Sequence, residues 1–212
     1  MQSSEVATSI DGRRGSSYIE PKNLMTIPMK LEKTLDKEVI IQMHEFSKNI
    51  SLFKKAALNV FVKTLKEADV QHLRRQFEIM DVDHTGIIEV DELRQAIKQL
   101  KVDIPDDEVL QIIDHVNFRS HGEINYTEFL AATISAQEIL TQQRLYALFK
   151  ELDHQNIDIL TEQNLKESFR RMGKEFSEEE LQQMMSESGV DNADGIGFED
   201  FKRIFQSETT SQ

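Results

Sequence analysis

The pattern of apolar residues divides the chain into an irregular leader, a basic helical segment and a series of repeats. Residues 1–34 show no helical or strand period, so we expect a flexible leader. In residues 35–66, here called the basic segment, apolar residues recur every three or four positions. This spacing predicts one long amphipathic helix, or two helices that meet near residues 49–51. The apolar positions are Val39, Met43, Phe46, Ile50, Phe53, Ala57, Phe61 and Leu65.

After residue 66 the apolar pattern repeats with a constant spacing of 36 residues, which indicates four helix–loop–helix units. Each unit has an apolar face that it cannot bury alone, so we expect the first unit to pair with the second and the third with the fourth. The residues at the eighth loop position are Ile88, Ile124, Leu160 and Ile196. The apolar positions before the loops are Phe77, Ile113, Phe149 and Met185, and those after the loops are Leu93, Phe129, Leu165 and Phe201.

These patterns predict an all-α fold with two lobes of paired units. In each lobe the two eighth-position residues should form a short two-stranded bridge, with Ile88 opposite Ile124 and Leu160 opposite Ile196. Ser177 and Glu180 have the spacing of a capping box at the start of a helix. The predicted segments are the leader (1–34), the basic segment (35–66), a first lobe (67–134), a linker (135–142), a second lobe (143–206) and a tail (207–212).

The first loop, residues 81–92, has oxygen-bearing residues where a calcium-binding loop requires them. Calcium is a hard ion with six to eight oxygen ligands, so carboxylates that repel one another become favourable once it binds. Gly86 provides the sharp turn at the sixth position. A plain acidic turn would need this glycine but not the glutamate at the twelfth. The predicted ligands of one Ca²⁺ are Asp81, Asp83, Thr85, Ile87 through its carbonyl, and Glu92.

The second and third loops lack this ligand set. The second has Asn117 at the first position, Arg119 at the third and His121 at the fifth, and a guanidinium there repels a cation. The third retains Asp153 but has lost both the glycine turn and the final carboxylate, so we expect neither loop to bind calcium usefully. Its substitutions at positions 3, 5, 6 and 12 are Gln155, Ile157, Asp158 and Asn164.

The fourth loop makes no good site in either of two alignments. The 36-residue spacing makes Gly189 the first position and Asp200 the last, but places Asp194 where the glycine belongs. A shift of one residue aligns Gly195 with the turn and places Phe201 at position 12. The alternative that Asp191, Asp194 and Asp200 bind magnesium or calcium weakly stays open.

Charge is distributed unevenly along the 212 residues, whose net charge is −13. Residues 1–66 contain 11 Lys or Arg and 7 Asp or Glu, whereas the remainder contains 14 and 31. The acidic body argues against a nucleic-acid partner and favours calcium or a basic amphipathic helix, either the chain's own basic segment or a helix of another protein. There is no cysteine and no apolar run of membrane-spanning length, so we expect an intracellular, cytoplasmic protein without a membrane span.

From about Leu35 to Phe205 the sequence resembles the regulatory tail of calcium-dependent protein kinases, which consists of a junction helix followed by a calmodulin-like domain. The matching stretches are Phe53–Leu58, residues 81–92 and Tyr126–Thr133. The resemblance implies two EF-hand lobes preceded by a long amphipathic junction helix. It also implies that calcium rearranges the lobes around helices of the same chain, and it assigns calcium binding to these five ligands of the first loop and to Glu89 through water.

Catalysis is not expected, because the chain has no glycine-rich phosphate loop, no His-Arg-Asp motif and no Asp-Phe-Gly motif. The leading hypothesis is a non-catalytic calcium-binding interaction protein whose single ion modulates binding of a helix. One alternative is a calcium-insensitive structural adaptor in a large cytoskeletal or ciliary assembly. Another alternative is a regulatory fragment of a calcium-dependent protein kinase.

Overall fold

The computed structural model describes residues 34–118, 122–134, 141–188 and 195–206. Within these ranges the chain forms ten α-helices, one short 3₁₀-helix and four strands of two residues each. The predicted all-α class is therefore confirmed. The predicted tail, most of the linker and all of the leader except Thr34 lie outside the described residues. None of the helices in the described ranges is long and apolar enough to cross a membrane.

The basic segment forms two helices, α1 (Lys37–Asn49) and α2 (Leu52–Phe61), and a 3₁₀-helix (Val62–Thr64) follows α2 directly. The prediction of one long helix is wrong, and the alternative of two helices is confirmed. Ile50 has extended backbone angles and ends α1. Ser51 then caps α2, since its side chain accepts a hydrogen bond from the amide of Lys54 at 3.2 Å.

The first lobe contains two helix–loop–helix units joined by an antiparallel pair of strands. Ile88 lies opposite Ile124 in this pair, as predicted. Both residues are fully buried, so the bridge is part of the core. The elements are α3 (Glu67–Met80), β1 (Ile87–Ile88), α4 (Val90–Leu100), α5 (Asp106–Val116), β2 (Ile124–Asn125) and α6 (Tyr126–Thr133).

The second lobe repeats this arrangement, and Leu160 lies opposite Ile196 as predicted. The predicted capping box is also present, because the amide of Ser177 donates to Glu180 at 2.7 Å and the amide of Glu180 donates to Ser177 at 3.2 Å. The elements are α7 (Gln142–Leu152), β3 (Ile159–Leu160), α8 (Glu162–Arg171), α9 (Glu178–Glu187), β4 (Ile196–Gly197) and α10 (Phe198–Gln206).

The fourth unit departs from the 36-residue spacing by one residue. In each unit the amide of the first loop residue donates to the carbonyl four residues earlier, and in the fourth unit this bond joins Ser188 to Met184. Met184 is fully buried, whereas Met185 is half-buried, so the assignment of Met185 to the apolar column is wrong. The fourth loop has one more residue before its strand than the other loops, which moves its incoming helix back by one position.

The basic segment packs against both lobes. Helix α1 contacts α5 and α6 of the first lobe, and α2 contacts α6 as well as α7 and α9 of the second lobe. Their apolar faces join one continuous core with the lobes. The buried apolar side chains of the two helices are Val39, Ile40, Met43 and Phe46 in α1, and Phe53, Ala56, Ala57, Leu58, Val60 and Phe61 in α2.

Candidate metal centre

Three of the predicted calcium ligands, Asp81, Asp83 and Glu92, come together in the first loop. A carboxylate oxygen from each lies within 4.8 Å of the other two. Asp81 follows the last residue of α3 and is buried, Asp83 is exposed, and Glu92 is half-buried in the first turn of α4. The cluster therefore joins the end of one helix to the start of the next.

Backbone amides fix the orientation of Asp81. The amide of Thr85 donates to Asp81 Oδ1 at 2.9 Å, and the amide of Gly86 donates to Asp81 Oδ2 at 3.0 Å. Thr85 also donates to Asp83 Oδ1 at 3.2 Å. Gly86 has a φ of +86°, which is the conformation the predicted sharp turn requires.

Glu92 joins the two ends of the loop. Its Oε1 accepts a hydrogen bond from the amide of Val82 at 2.7 Å, and its Oε2 accepts one from the amide of Glu89 at 3.0 Å. Glu89 is the N-cap residue of α4 and is not a member of the carboxylate cluster. Ile87 lies in β1, where it is opposite Asn125.

The cluster has an excess of negative charge. None of Asp81, Asp83 and Glu92 forms an ion pair with a lysine, arginine or histidine of the described residues. Close carboxylates repel one another, and a divalent cation with oxygen preference removes this repulsion. The donor set of the loop, which is all oxygen and has no sulfur or imidazole ligand, suits calcium or magnesium rather than zinc.

The second loop retains two buried polar side chains at its ends. Asn117 is buried, and its Oδ1 has no hydrogen-bond partner among the described residues. Glu128 is 2% exposed, and its Oε2 accepts a hydrogen bond from the amide of Asn125 at 3.0 Å. Arg119 and His121, on which the prediction of a non-binding loop rests, lie outside the described residues, and that prediction stays untested.

In the third loop, Asp153 is fully buried and accepts hydrogen bonds from the amides of Ile157 at 3.0 Å and Asp158 at 2.9 Å. Asp158 replaces the glycine and has a φ of +60°. Asn164 replaces the final glutamate, and its Nδ2 donates to Asp153 Oδ1 at 3.4 Å. The loop positions used for the prediction do not include Lys150, an α7 residue whose Nζ is 2.9 Å from Asp153 Oδ2.

The predicted weak site of the fourth loop cannot be assembled from the described residues, because Asp191 and Asp194 lie outside them. Asp200, its third proposed ligand, accepts a hydrogen bond from Arg203. Gly195 has a φ of +118° and forms the turn before β4.

Polar contacts fix both helices of the basic segment to the lobes. His44 Nε2 and Lys48 Nζ of α1 lie 2.6 and 2.8 Å from Glu108 Oε2 on α5. Hydrogen bonds from Lys48 and then His44 hold the pKa of Glu108 below its usual value. In the second lobe, Glu187 Oε2 accepts a hydrogen bond from the amide of Leu52, the first residue of α2, at 2.9 Å. A carboxylate at a helix N-terminus is also favoured by the helix dipole.

Comparison with known proteins agrees with this architecture. The profile of the EF-hand domain pair matches residues 70–134 and 142–206. Over 167 residues, the chain is 30% identical to calcium-dependent protein kinase 34 of Arabidopsis thaliana, an alignment that covers 79% of this chain and 32% of that protein. It is 27% identical to calcium-dependent protein kinase 21 of the same plant over 179 residues, which cover 84% of this chain and 33% of that protein. The chain thus spans about a third of the length of these curated relatives.

Proposed function

The chain belongs to the EF-hand family, and from this premise we propose that it is a non-catalytic calcium-binding protein with one functional ion site. In this proposal the ion is held by residues 81–92 and controls how the first lobe binds an amphipathic helix. The helix is the chain's own α1 or a helix of a partner protein. The relatives are calcium-dependent kinases, but the aligned region is only about a third of each, and kinase activity is not part of the proposal.

The observation that carries the proposal is the convergence of Asp81, Asp83 and Glu92 within 4.8 Å. Three carboxylates without a basic partner among the described residues are best explained by a cation that binds them. Thr85, the carbonyl of Ile87 and a water held by Glu89 would complete the oxygen ligands.

A bound ion would be attracted to carboxylates at two places, one at the end of α3 and one at the start of α4. Asp81 belongs to the first helix end and Glu92 to the second, so their shared attraction to an ion favours one relative orientation of the two helices. The surface affected by such a change includes four buried apolar residues. These residues are Phe77, Met80, Ile97 and Ile113.

The chain itself supplies one helix that packs on the first lobe. Helix α1 packs against α5 and α6, and its His44 and Lys48 contact Glu108. A partner helix must therefore compete with α1. Its apparent affinity for the lobe is the intrinsic affinity multiplied by the fraction of molecules in which α1 is released. Calcium would change this competition by changing the shape of the first lobe.

The first test is isothermal titration with calcium of the wild type, Glu92→Gln and the control Asp91→Asn. Asp91 is the exposed neighbour of Glu92, pairs with Arg94, and loses the same charge when replaced. We expect one ion to bind the wild type with a Kd on the order of 10⁻⁶ to 10⁻⁴ M. Glu92→Gln should weaken binding by about 10- to 100-fold, whereas Asp91→Asn should change it little. Tight binding of two or more ions would contradict the proposal of one site.

The second test measures binding of an apolar dye, or of a peptide with the sequence of residues 36–66, with and without calcium. A calcium-dependent increase in the wild type that is lost in Glu92→Gln supports a sensor. An equal signal with and without calcium would assign the ion a structural role only.

A calcium-insensitive adaptor is the second candidate. It is supported by the polar and apolar contacts that already fix α1 and α2 to the lobes, because these contacts need no ion. If Glu92→Gln retains partner binding and localisation in cells, the adaptor is preferred to the sensor. A cytoskeletal or ciliary assembly is the environment proposed for this candidate.

The third candidate is a regulatory fragment of a calcium-dependent protein kinase, which the 30% identity to kinase 34 supports. Sequencing of the full transcript would decide it, since a kinase domain upstream of the basic segment is the feature that distinguishes it. All three candidates place the protein inside the cell.

A further inference from the structure

The third loop contains a lysine ammonium beside the carboxylate that would bind a metal in an intact loop. Lys150 Nζ lies 2.9 Å from Asp153 Oδ2 and 2.9 Å from Asp158 Oδ1. The side chain of Asp153 is fully buried, whereas that of Lys150 is 27% exposed. Hydrogen bonds to Asp158 and then Asp153 raise the pKa of Lys150, so the ammonium keeps its charge.

The neighbouring donor groups stabilise the charged form of Asp153. Burial raises its pKa, but Lys150 and the amides of Ile157 and Asp158 outweigh burial and hold the pKa of Asp153 below its usual value. Asn164 Nδ2 is a further donor at 3.4 Å. A buried carboxylate without such partners is strongly destabilising, so the contact with Lys150 is needed for the loop to keep its shape.

The first and third loops share the same backbone arrangement but differ in this charge. In the first loop the amides of Thr85 and Gly86 donate to Asp81, just as those of Ile157 and Asp158 donate to Asp153. The residue three positions before the loop is Glu78 in the first unit, where the third unit has Lys150. The first loop thus lacks a cation at the position where the third loop has one.

We propose that Lys150 is a permanent counter-ion of the third loop, and that it keeps the second lobe assembled around α2 in the absence of metal. The ring of Phe53 on α2 contacts the ring of Phe201 edge to face, with centroids 5.9 Å apart, and Glu187 caps the first turn of α2. Phe201 also contacts the ring of Phe149, the residue before Lys150 on α7, with centroids 5.6 Å apart, so these rings connect α7 to α2. The proposed role of Lys150 in the second lobe does not depend on whether the first loop binds calcium.

The test is hydrogen–deuterium exchange of the full chain in excess chelator. It compares the wild type with Lys150→Gln and with the control Lys166→Gln, a lysine on α8 whose Nζ is 3.8 Å from Glu178. In Lys150→Gln we expect the amides of Ile157 and Asp158 and those of α2 to exchange about tenfold faster, because a buried carboxylate loses its charged partner. The wild type should retain this protection in chelator, and Lys166→Gln should match the wild type.

Two results would overturn the proposal. One is unchanged exchange in Lys150→Gln at residues 153–161 or in α2, and the other is protection of these amides in the wild type only when calcium is added. Asp158→Asn is the second variant in case Lys150→Gln does not fold, because asparagine tolerates the positive φ and only one of the two contacts of Lys150 is lost. It should exchange faster than the wild type at Ile157 and Asp158, and equal rates would also count against the proposal. Since every measurement is made in chelator, failure of calcium binding at the first loop leaves these results unaffected.

Discussion

Two glycines with positive φ have different surroundings. A Cβ atom added to Gly86 would meet nothing within 4 Å, so only the backbone conformation opposes a side chain there. A Cβ atom added to Gly195 would lie 2.6 Å from Ile159 Cγ2 and 2.7 Å from the carbonyl oxygen of Leu160. Gly195 is therefore required both for its conformation and for the close approach of β3 and β4.

We predict that Gly86→Ala lowers the free energy of unfolding by about 1 kcal/mol, which is the cost of an L-residue in the left-handed conformation. Gly195→Ala should cost on the order of 3 kcal/mol, because the bridge between β3 and β4 must also shift. Urea denaturation of both variants in chelator measures the difference. Equal losses would mean that the contact of Gly195 with β3 relaxes without cost.

At the residue scale, the first loop could be predicted because each of its positions has one fixed role in the backbone. Asp81, Asp83, Gly86 and Glu92 were identified in this way, and the carboxylates converge as expected. Lys150 could not be found by the same reasoning, because it lies on the helix before the loop. Its ammonium reaches the loop only in the folded structure. The clue in the sequence is its position three residues before Asp153, within reach on the same helix face.

At the scale of elements, the break between α1 and α2 separates a helix that contacts α5 and α6 of the first lobe from one that contacts both lobes. The apolar period continues through the break, so the sequence allowed either one helix or two. In the structure the segment forms two helices, because the extended backbone of Ile50 ends α1 and the side chain of Ser51 caps α2. The fourth unit shows a similar limit of the sequence pattern. An extra loop residue leaves the 36-residue spacing between Leu160 and Ile196 intact. The helix before this loop is displaced by one residue, so Met184 and not Met185 occupies the core position.

The side chain of Phe53 packs α2 against the second lobe, and this leads to a prediction for Phe53→Ala. Phe53 is fully buried against Phe201, so its removal should lower the free energy of unfolding by about 3 to 5 kcal/mol. The neighbouring Leu52 is only half-buried, and Leu52→Ala should cost clearly less. Chemical denaturation of both variants measures the difference. A loss in Phe53→Ala no larger than that in Leu52→Ala would contradict the packing of α2 described above.

At the scale of the whole molecule, several of the contacts between the lobes lie outside the loops. Helix α2 touches α6 of the first lobe and α9 of the second. Arg144 Nη2 at the start of α7 also donates to Asp69 Oδ1 at the start of α3 at 3.0 Å, and this bond lowers the pKa of Asp69. The Arg144–Asp69 pair is partly exposed and contributes little by itself. The shared apolar core should therefore provide most of the coupling between the lobes.

Because of this shared core, we predict that calcium bound only at the first loop stabilises both lobes. Free calcium at a hundred times its Kd should raise the free energy of unfolding by about 2.7 kcal/mol, through preferential binding to the folded state. Hydrogen exchange of residues in α8 and α10 should report the same increase as residues in α4, provided the molecule unfolds as one unit. Glu92→Gln removes the increase in both lobes at the same calcium concentration, whereas Asp91→Asn retains it. Two separate unfolding transitions, of which calcium shifts only the first-lobe one, would show that α2 does not couple the lobes energetically.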